Sequence, residues 1–220
     1  MTYKDIINAV LRRLREDTVS TWGGALIDNT SIGKYQQLIG DFVNETKREV
    51  EDAHNWTVLR SKVAITTASG TRDYNLTNTN ERVRVLSVYD RGTGSELSPI
   101  DDSYLEQVAY PSMTNNRPSN YVINGTASSA KISFYPTPDA IYNIDVLTVD
   151  PQDELTEAAD TLSITAMPVI LGAWARAISE RGEDGGSLSD MVFMQYQQAL
   201  SDAIAQDSGR VVRETLWYSV

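Results

Sequence analysis

Tyr35-Gln-Gln-Leu38-Ile39-Gly-Asp-Phe42-Val43-Asn-Glu-Thr46-Lys-Arg-Glu-Val50-Glu-Asp-Ala53-His54-Asn-Trp56 is the stretch on which the fold turns. Tyr35, Leu38, Ile39, Phe42, Val43, Thr46, Val50 and Ala53 recur at the spacing of one helical face. Glu45, Lys47, Arg48, Glu49, Glu51 and Asp52 lie mostly on the other side. The spacing predicts a helix of six turns that starts at Thr30 or Ser31 and stops near His54, Asn55 and Trp56. Beyond Trp56 the pattern switches to short β-rich runs separated by turn residues. A long helix that gives way to strands indicates an α+β class.

Toward the N-terminus, Ile6, Ile7, Val10, Leu11 and Leu14 mark another amphipathic helix over residues 2–16. Thr2 is its cap, with Asp5 as the acidic partner of a capping box. The loop from Asp17 to Asn29 contains Trp22-Gly23-Gly24. Toward the C-terminus, strands are expected at 57–66, 71–76, 82–90, 119–124, 130–135 and 141–149. Ala68-Ser69-Gly70, Arg91-Gly92-Thr93-Gly94 and Asn124-Gly125 supply turns. A short helix at about 101–109 follows Ser98-Pro99, and Tyr135-Pro136-Thr137-Pro138-Asp139 reads as a rigid corner.

Helices return after Pro151. Pro168 suits a first turn, and Val169, Ile170, Ala173, Trp174, Ala177 and Ile178 form a stripe. Arg181 to Gly186 is a tight connection. Ser187 and Asp190 open a last helix with the stripe Leu188, Met191, Val192, Tyr196, Ala199, Leu200, Ala203 and Ile204, capped by Gly209. Two amphipathic helices at each end predict a four-helix bundle from residues 1–56 and 151–208. A small antiparallel β domain, 57–150, is inserted with its ends close together, and 209–220 form an extended C-terminal arm.

Composition narrows the function. Hydrophobic residues make up 41% and charged residues 22%, ordinary globular values that support a core without staples. The chain has no cysteine and a single histidine, His54, so disulfides and thiolate sites are excluded and zinc is disfavoured. No metal or cofactor is expected. No apolar run approaches the ~20 residues that cross a bilayer. Met1-Thr-Tyr-Lys-Asp lacks the apolar core of a signal peptide, which predicts assembly in the cytoplasm. The net charge is −11 and the pI about 4.5. That is not the basic footprint of a DNA reader, although an acidic protein can surround DNA without gripping it.

No catalytic constellation emerges. His54 at a helix end reads as a capping or surface residue. Asp101-Asp102, Asp153-Glu154 and Glu183-Asp184 are neighbours in sequence, whereas carboxylate catalysis needs partners converging from separate elements. Asp101-Asp102 suits a helix start. Trp56 and Trp174 lie on helical faces and read as core. Tyr74, Tyr89, Tyr121, Tyr135 and Tyr142 fit strand packing, with a sugar-binding groove as the alternative.

The C-terminal arm stands apart. A solvated terminus normally lacks large apolar groups, yet this one carries Arg210, Val211, Val212, Arg213, Leu216, Trp217, Tyr218 and Val220. Trp, Tyr and Arg are the residues most enriched in binding hot spots. The expectation is an arm that docks on another chain through Arg210, Val212, Arg213, Leu216, Trp217, Tyr218 and Val220; the alternative is a strand folded back on its own domain.

The order of motifs resembles a known family. Gly70-Thr-Arg-Asp-Tyr74-Asn-Leu76 and Arg82-Val-Arg-Val-Leu-Ser-Val-Tyr89 are similar to a run of tailed-bacteriophage head-to-tail adaptors, also called connector or tail tubular protein A-like. Arg117-Pro-Ser-Asn-Tyr121, Ile132-Ser-Phe-Tyr-Pro-Thr-Pro-Asp139 and Tyr142 resemble its next segment. Trp174-Ala-Arg-Ala and Tyr196-Gln-Gln-Ala-Leu200 fall where that family has its last two helices. The resemblance implies a structural virion protein of the phage neck, without enzymatic activity, assembled in the host cytoplasm. It implies a homo-oligomeric ring, a dodecamer, between portal protein and tail or nozzle proteins. Duplex DNA would only pass through the lumen during ejection, with no sequence-specific binding and no membrane contact. The Trp22-Gly23-Gly24 loop and the apolar C-terminus depart from the family's pattern. The alternative reading is a phage carbohydrate-binding module on the β domain; an enzyme built on the acidic pairs ranks third.

Overall fold

Leu59 and Gln152 bound the inserted segment. The structure, a computed structural model, describes residues 1–22, 25–26, 32–76, 79, 81–104, 115–126, 129–182 and 187–209. The chain divides into two compact units, Met1–Val58 with Asp153–Val220, and Leu59–Gln152. The first unit has 20 acidic and 11 basic residues in its sequence, so nine of the eleven net negative charges belong to it.

The β unit has strands β1 (Arg60–Thr66), β2 (Asp73–Asn75), β3 (Arg84–Asp90), β4 (Ser95–Glu96), β5 (Ser98–Pro99), β6 (Asn120–Thr126), β7 (Ser129–Tyr135) and β8 (Asn143–Val149). They form two four-stranded sheets, ordered β1-β8-β3-β4 and β2-β7-β6-β5. All pairings are antiparallel except the parallel β5–β6 contact. Each of the six expected runs contains a strand; β4 and β5 are too short to leave a periodic signal. Ile65, Val88, Ile144 and Val146 of one sheet share a core with Tyr121, Ile132 and Phe134 of the other. Register follows that burial, with Ile65 opposite Ile144 and Val63 opposite Val146. The chain does not turn at Asn124-Gly125 as expected. Both lie within β6, opposite Lys131 and Ala130, and the pairing continues to Thr126 opposite Ser129. Tertiary register has overridden a local turn signal. Of the short helix expected at 101–109, residues 102–104 are helical, and the rest lies outside the described residues.

In the helical unit, α1 (Tyr3–Arg13) begins as predicted: Thr2 Oγ1 accepts the Asp5 N–H at 3.2 Å, and Asp5 accepts the Thr2 N–H at 3.3 Å. It ends short of residue 16 because Arg15 turns left-handed (φ 59°) and the Glu16 N–H bonds the Leu11 carbonyl at 3.0 Å, a Schellman cap. Helix α2 (Lys34–Ala53) starts later than Thr30 or Ser31, which lie outside the described residues. Its cap is Gly33, whose N–H is taken by Gln36 Oε1 at 3.1 Å.

Helix α3 (Ala166–Arg181) packs against α1, α2 and α4 (Ser187–Ser208), and α1 packs against α2. A helix with neighbours on several sides must be apolar nearly all round, and α3 buries Val169, Ile170, Leu171, Ala173, Ala175, Ala177 and Ile178. Gly172 permits the closest approach: a Cβ there would lie 2.5 Å from Thr46 Cγ2 and 3.2 Å from the Tyr196 ring. On α4, Val192, Tyr196 and Ala203 are buried, but Leu188 and Met191, expected in the same stripe, are exposed. At 100° per residue Met191 sits about 140° round the helix from Tyr196, off the buried face.

The solvent face expected for α2 is partly covered. Residues 153–165 are not helical, and they bury Leu155, Leu162 and Ile164. Asn44 bonds the Leu155 carbonyl and N–H, both at 3.0 Å. Lys47 donates to the Asp153 carbonyl at 2.9 Å and pairs with Glu51 at 3.2 Å. Lys47 and Glu51, placed on the exposed side by periodicity, are therefore both buried. Removing one partner leaves the other charge desolvated and uncompensated. Lys47→Met is expected to cost about 3–5 kcal/mol in urea unfolding, and Lys47→Met with Glu51→Leu to recover most of it. Equal losses in the single and double variants would show that the pair is not the source.

Candidate interaction site

The residues that carry the family resemblance in the β unit are occupied with holding it together. Tyr74 hydroxyl donates to the Thr71 carbonyl at 2.9 Å and accepts the Ala68 N–H at 2.8 Å. The turn it braces passes through Gly70, at φ 78°, whose N–H bonds the Pro138 carbonyl at 2.8 Å. Arg117 grips Asp90 with two bonds, Nε to Oδ2 at 2.5 Å and Nη2 to Oδ1 at 2.9 Å. The same guanidinium lies 4.8 Å from the Tyr142 ring centre, and Tyr142 donates to Asp139 at 2.6 Å. Arg117 and the Gly92 N–H hold the buried Asp90 carboxyl below the usual carboxylate range, the Arg117 bond contributing most.

Groups that suggested chemistry have structural partners. Asp207, buried near the end of α4, accepts the Thr57 N–H at 2.9 Å and its hydroxyl at 2.5 Å, and lies 3.3 Å from His54 Nε2. His54 is thus a helix-end residue that also meets Trp56 edge-on. Asp101 accepts the Ser103 N–H at 2.8 Å, the expected role at a helix start. Asp153 offers its carbonyl to Lys47. Glu154 faces Asp41, whose carboxyl is raised by burial and then by the Glu154 charge. Glu183 and Asp184 lie outside the described residues. Among those described, no group of three or more His, Cys, Asp or Glu could hold a metal, and no helix is long and apolar enough to cross a membrane. Of the five strand tyrosines only Tyr89 is exposed, so they form no aromatic platform for a sugar.

Among the described residues of the helical unit, two surfaces stand out. The outer side of α4 exposes Met191 (51%) and Met194 (72%), with Phe193 (48%) nearby, on a helix with no lysine or arginine. A cleft of about 420 Å³ is lined by Leu14, Trp174, Ile178 and Leu188 and rimmed by Arg13, Arg15 and Arg181. Trp174, expected in the core, is only half-buried in its wall. Arg13 lies 5.9 Å from the Trp174 ring centre. Arg181 pairs with Glu16 and donates to Tyr35 at 2.8 Å. Periodicity could not reveal this cleft, because its walls come from three helices far apart in sequence; its one local trace is Arg12-Arg13-Leu14-Arg15. The arm residues Arg210, Val212, Arg213, Leu216, Trp217, Tyr218 and Val220 lie outside the described residues.

The family model described as SU10 adaptor protein matches residues 1–216. The chain belongs to the SU10 adaptor protein family. Comparison with the curated proteins finds no match. The adaptor is a structural phage protein, and its family implies a place in the virion neck among other head and tail proteins.

Asp90 supplies a measurable pH dependence to the adaptor. Its folded carboxyl titrates below the unfolded value of about 3.9. The stability it contributes is complete above that value and is lost as pH falls through the lower folded value. Arg117→Ala is expected to lower stability at pH 7, by less than the loss of a fully buried pair because Arg117 is partly exposed. The cost should shrink as pH drops below about 4 in a denaturant series; a pH-independent loss would contradict this origin.

Proposed function

We propose that the protein is a head-to-tail adaptor that assembles as a homo-oligomeric ring of twelve subunits, the number the resemblance implies, between portal and tail or nozzle proteins. The ring leaves a channel for DNA, and the helices of each subunit act as a four-helix bundle carrying the β insert. The observation that carries this reading is the family match over residues 1–216. It is supported by the way the motif residues are spent on scaffolding, with Arg117, Asp90, Tyr142 and Asp139 all engaged with one another.

The mechanism is geometric and electrostatic. A rigid subunit converts one interface into another, and the acidic surplus disfavours adhesion to the phosphate backbone. The C-terminal arm, Arg210 to Val220, docks on a neighbouring protein. Eleven extended residues reach about 36–40 Å, enough to cross a subunit boundary. Burying Leu216 and Trp217 contributes very roughly 2 kcal/mol each before ordering costs, and repetition around a ring multiplies weak contacts.

Deleting residues 210–220 is expected to leave a folded, soluble protein, by circular dichroism and thermal melting, that no longer joins stably to portal or forms rings in electron micrographs. Loss of the fold would make the arm part of its own core. Assembly as tight as that of the full chain would make it dispensable. Nanomolar binding of the isolated full chain to duplex DNA at physiological salt would contradict the passive channel.

A further inference from the structure

We propose that the cleft between the end of α1, α3 and the first turn of α4 receives the C-terminal arm of a second copy. Trp217 seats against Leu14, Trp174, Ile178 and Leu188, while Glu214 faces Arg13 and Arg15. This rests on the reading that the arm docks on a neighbouring protein, and it names the receptor.

The cleft combines two features. Its floor is apolar and open, and its rim holds three of that unit's 11 basic residues. Arg181 is already paired with Glu16. Arg15 is exposed, stands at a left-handed position normally left to glycine, and makes no ion pair among the described residues. Such a site selects a segment with one large apolar side chain close to a carboxylate. Within the arm, Glu214 stands two residues before Leu216 and three before Trp217. The arm's own cations, Arg210 and Arg213, then lie outside the cleft, over a unit with a net charge of −9 and beside α4, which has no cation.

Reach decides which copy supplies the arm. Leu188 and Gly209 lie 21 residues apart on α4 and its cap, about 32 Å at ~1.5 Å per residue. From Gly209, Glu214 extends only about 16–18 Å and Trp217 about 26–29 Å at ~3.3–3.6 Å per residue. A chain's own arm would meet its own cleft only when drawn out fully along α4, whereas a neighbour's arm entering from another direction needs no such stretch. Nucleic acid, which also uses arginine and aromatic side chains, is the poorer fit. A repeating polyanion would meet the rest of a strongly acidic unit, while a short peptide brings one carboxylate.

The absence of cysteine makes the test clean. Full-length copies carrying Arg15→Cys are mixed with tagged full-length copies carrying Glu214→Cys and air-oxidised. The expected result is a mixed covalent dimer at five or more times the yield given by Glu214→Cys with Ser201→Cys, an exposed control position on α4. Equal yields overturn the proposal, as does a chain carrying both Arg15→Cys and Glu214→Cys that closes only on itself. By sedimentation, Arg15→Glu should weaken self-association about tenfold, and Glu214→Arg in the same chain should restore most of it; failure to restore overturns the pairing. A single-stranded oligonucleotide that protects the thiol at position 15 from alkylation better than a peptide of residues 210–220 would overturn it in favour of nucleic acid. If the cross-link fails while deletion of 210–220 still breaks the joint to portal, the cleft assignment falls and the adaptor reading stands.

Discussion

The pairing of the insert's first strand with its last lets one chain build two units. Arg60 stands opposite Val149, and Leu59 accepts the Asp150 N–H at 2.8 Å. Directly paired antiparallel residues lie about 5 Å apart, so the chain leaves the helical unit and returns to it at nearly one place. Helix α3 can then pack on α2 although the whole β unit separates them in sequence. The exit is fastened from the helical side as well, because Thr57 is held by Asp207 near the end of α4. Without the β1–β8 closure, the loop-closure cost of the insert would fall on the helix contacts instead.

Where periodicity met a simple environment it was sufficient. Helix α1 has one buried face, and Ile6, Ile7, Val10 and Leu11 on it were legible together with the capping box. The six main strands were legible because two facing sheets impose alternation on the residues between them. Errors arose where a third element intervened. Lys47 and Glu51 look like solvent-face residues of an isolated helix, but the returning chain at 153–165 covers them. Asn124-Gly125 is a strong hairpin signal on its own, yet pairing of β6 with β7 carries both residues into the strand. Met191 has helical spacing relative to Leu188, yet both are exposed on α4.

The family motifs and the candidate surfaces were legible in a different way. The motifs that carry the family resemblance mark the joints of the β unit: Tyr74 on its turn, Arg117 on Asp90, Tyr142 on Asp139. Each of them holds part of the scaffold of that unit. The arm stood out by composition alone, since Leu216, Trp217 and Tyr218 are unusual in a solvated terminus. The cleft left almost no trace, because Arg13, Trp174 and Leu188 come together only through helix packing.

The charge distribution shows how such a protein can associate selectively. Nine of eleven net negative charges lie in the helical unit, so two copies approaching at random meet mostly like charge, a penalty that acts within about 8 Å at physiological salt. If copies associate as proposed, contact is favoured where cations gather. The rim of Arg13, Arg15 and Arg181 is such a place, and it surrounds the apolar wall of Trp174. Repulsion over most of the surface and attraction at one cleft favour a single orientation over disordered aggregation. The exposed Met191 and Met194 fit the same logic. They sit on a helix that bears Asp190 and Asp202 and no cation, so their apolar contact area is available to a partner with positive charge around it and is protected from another copy of the same face.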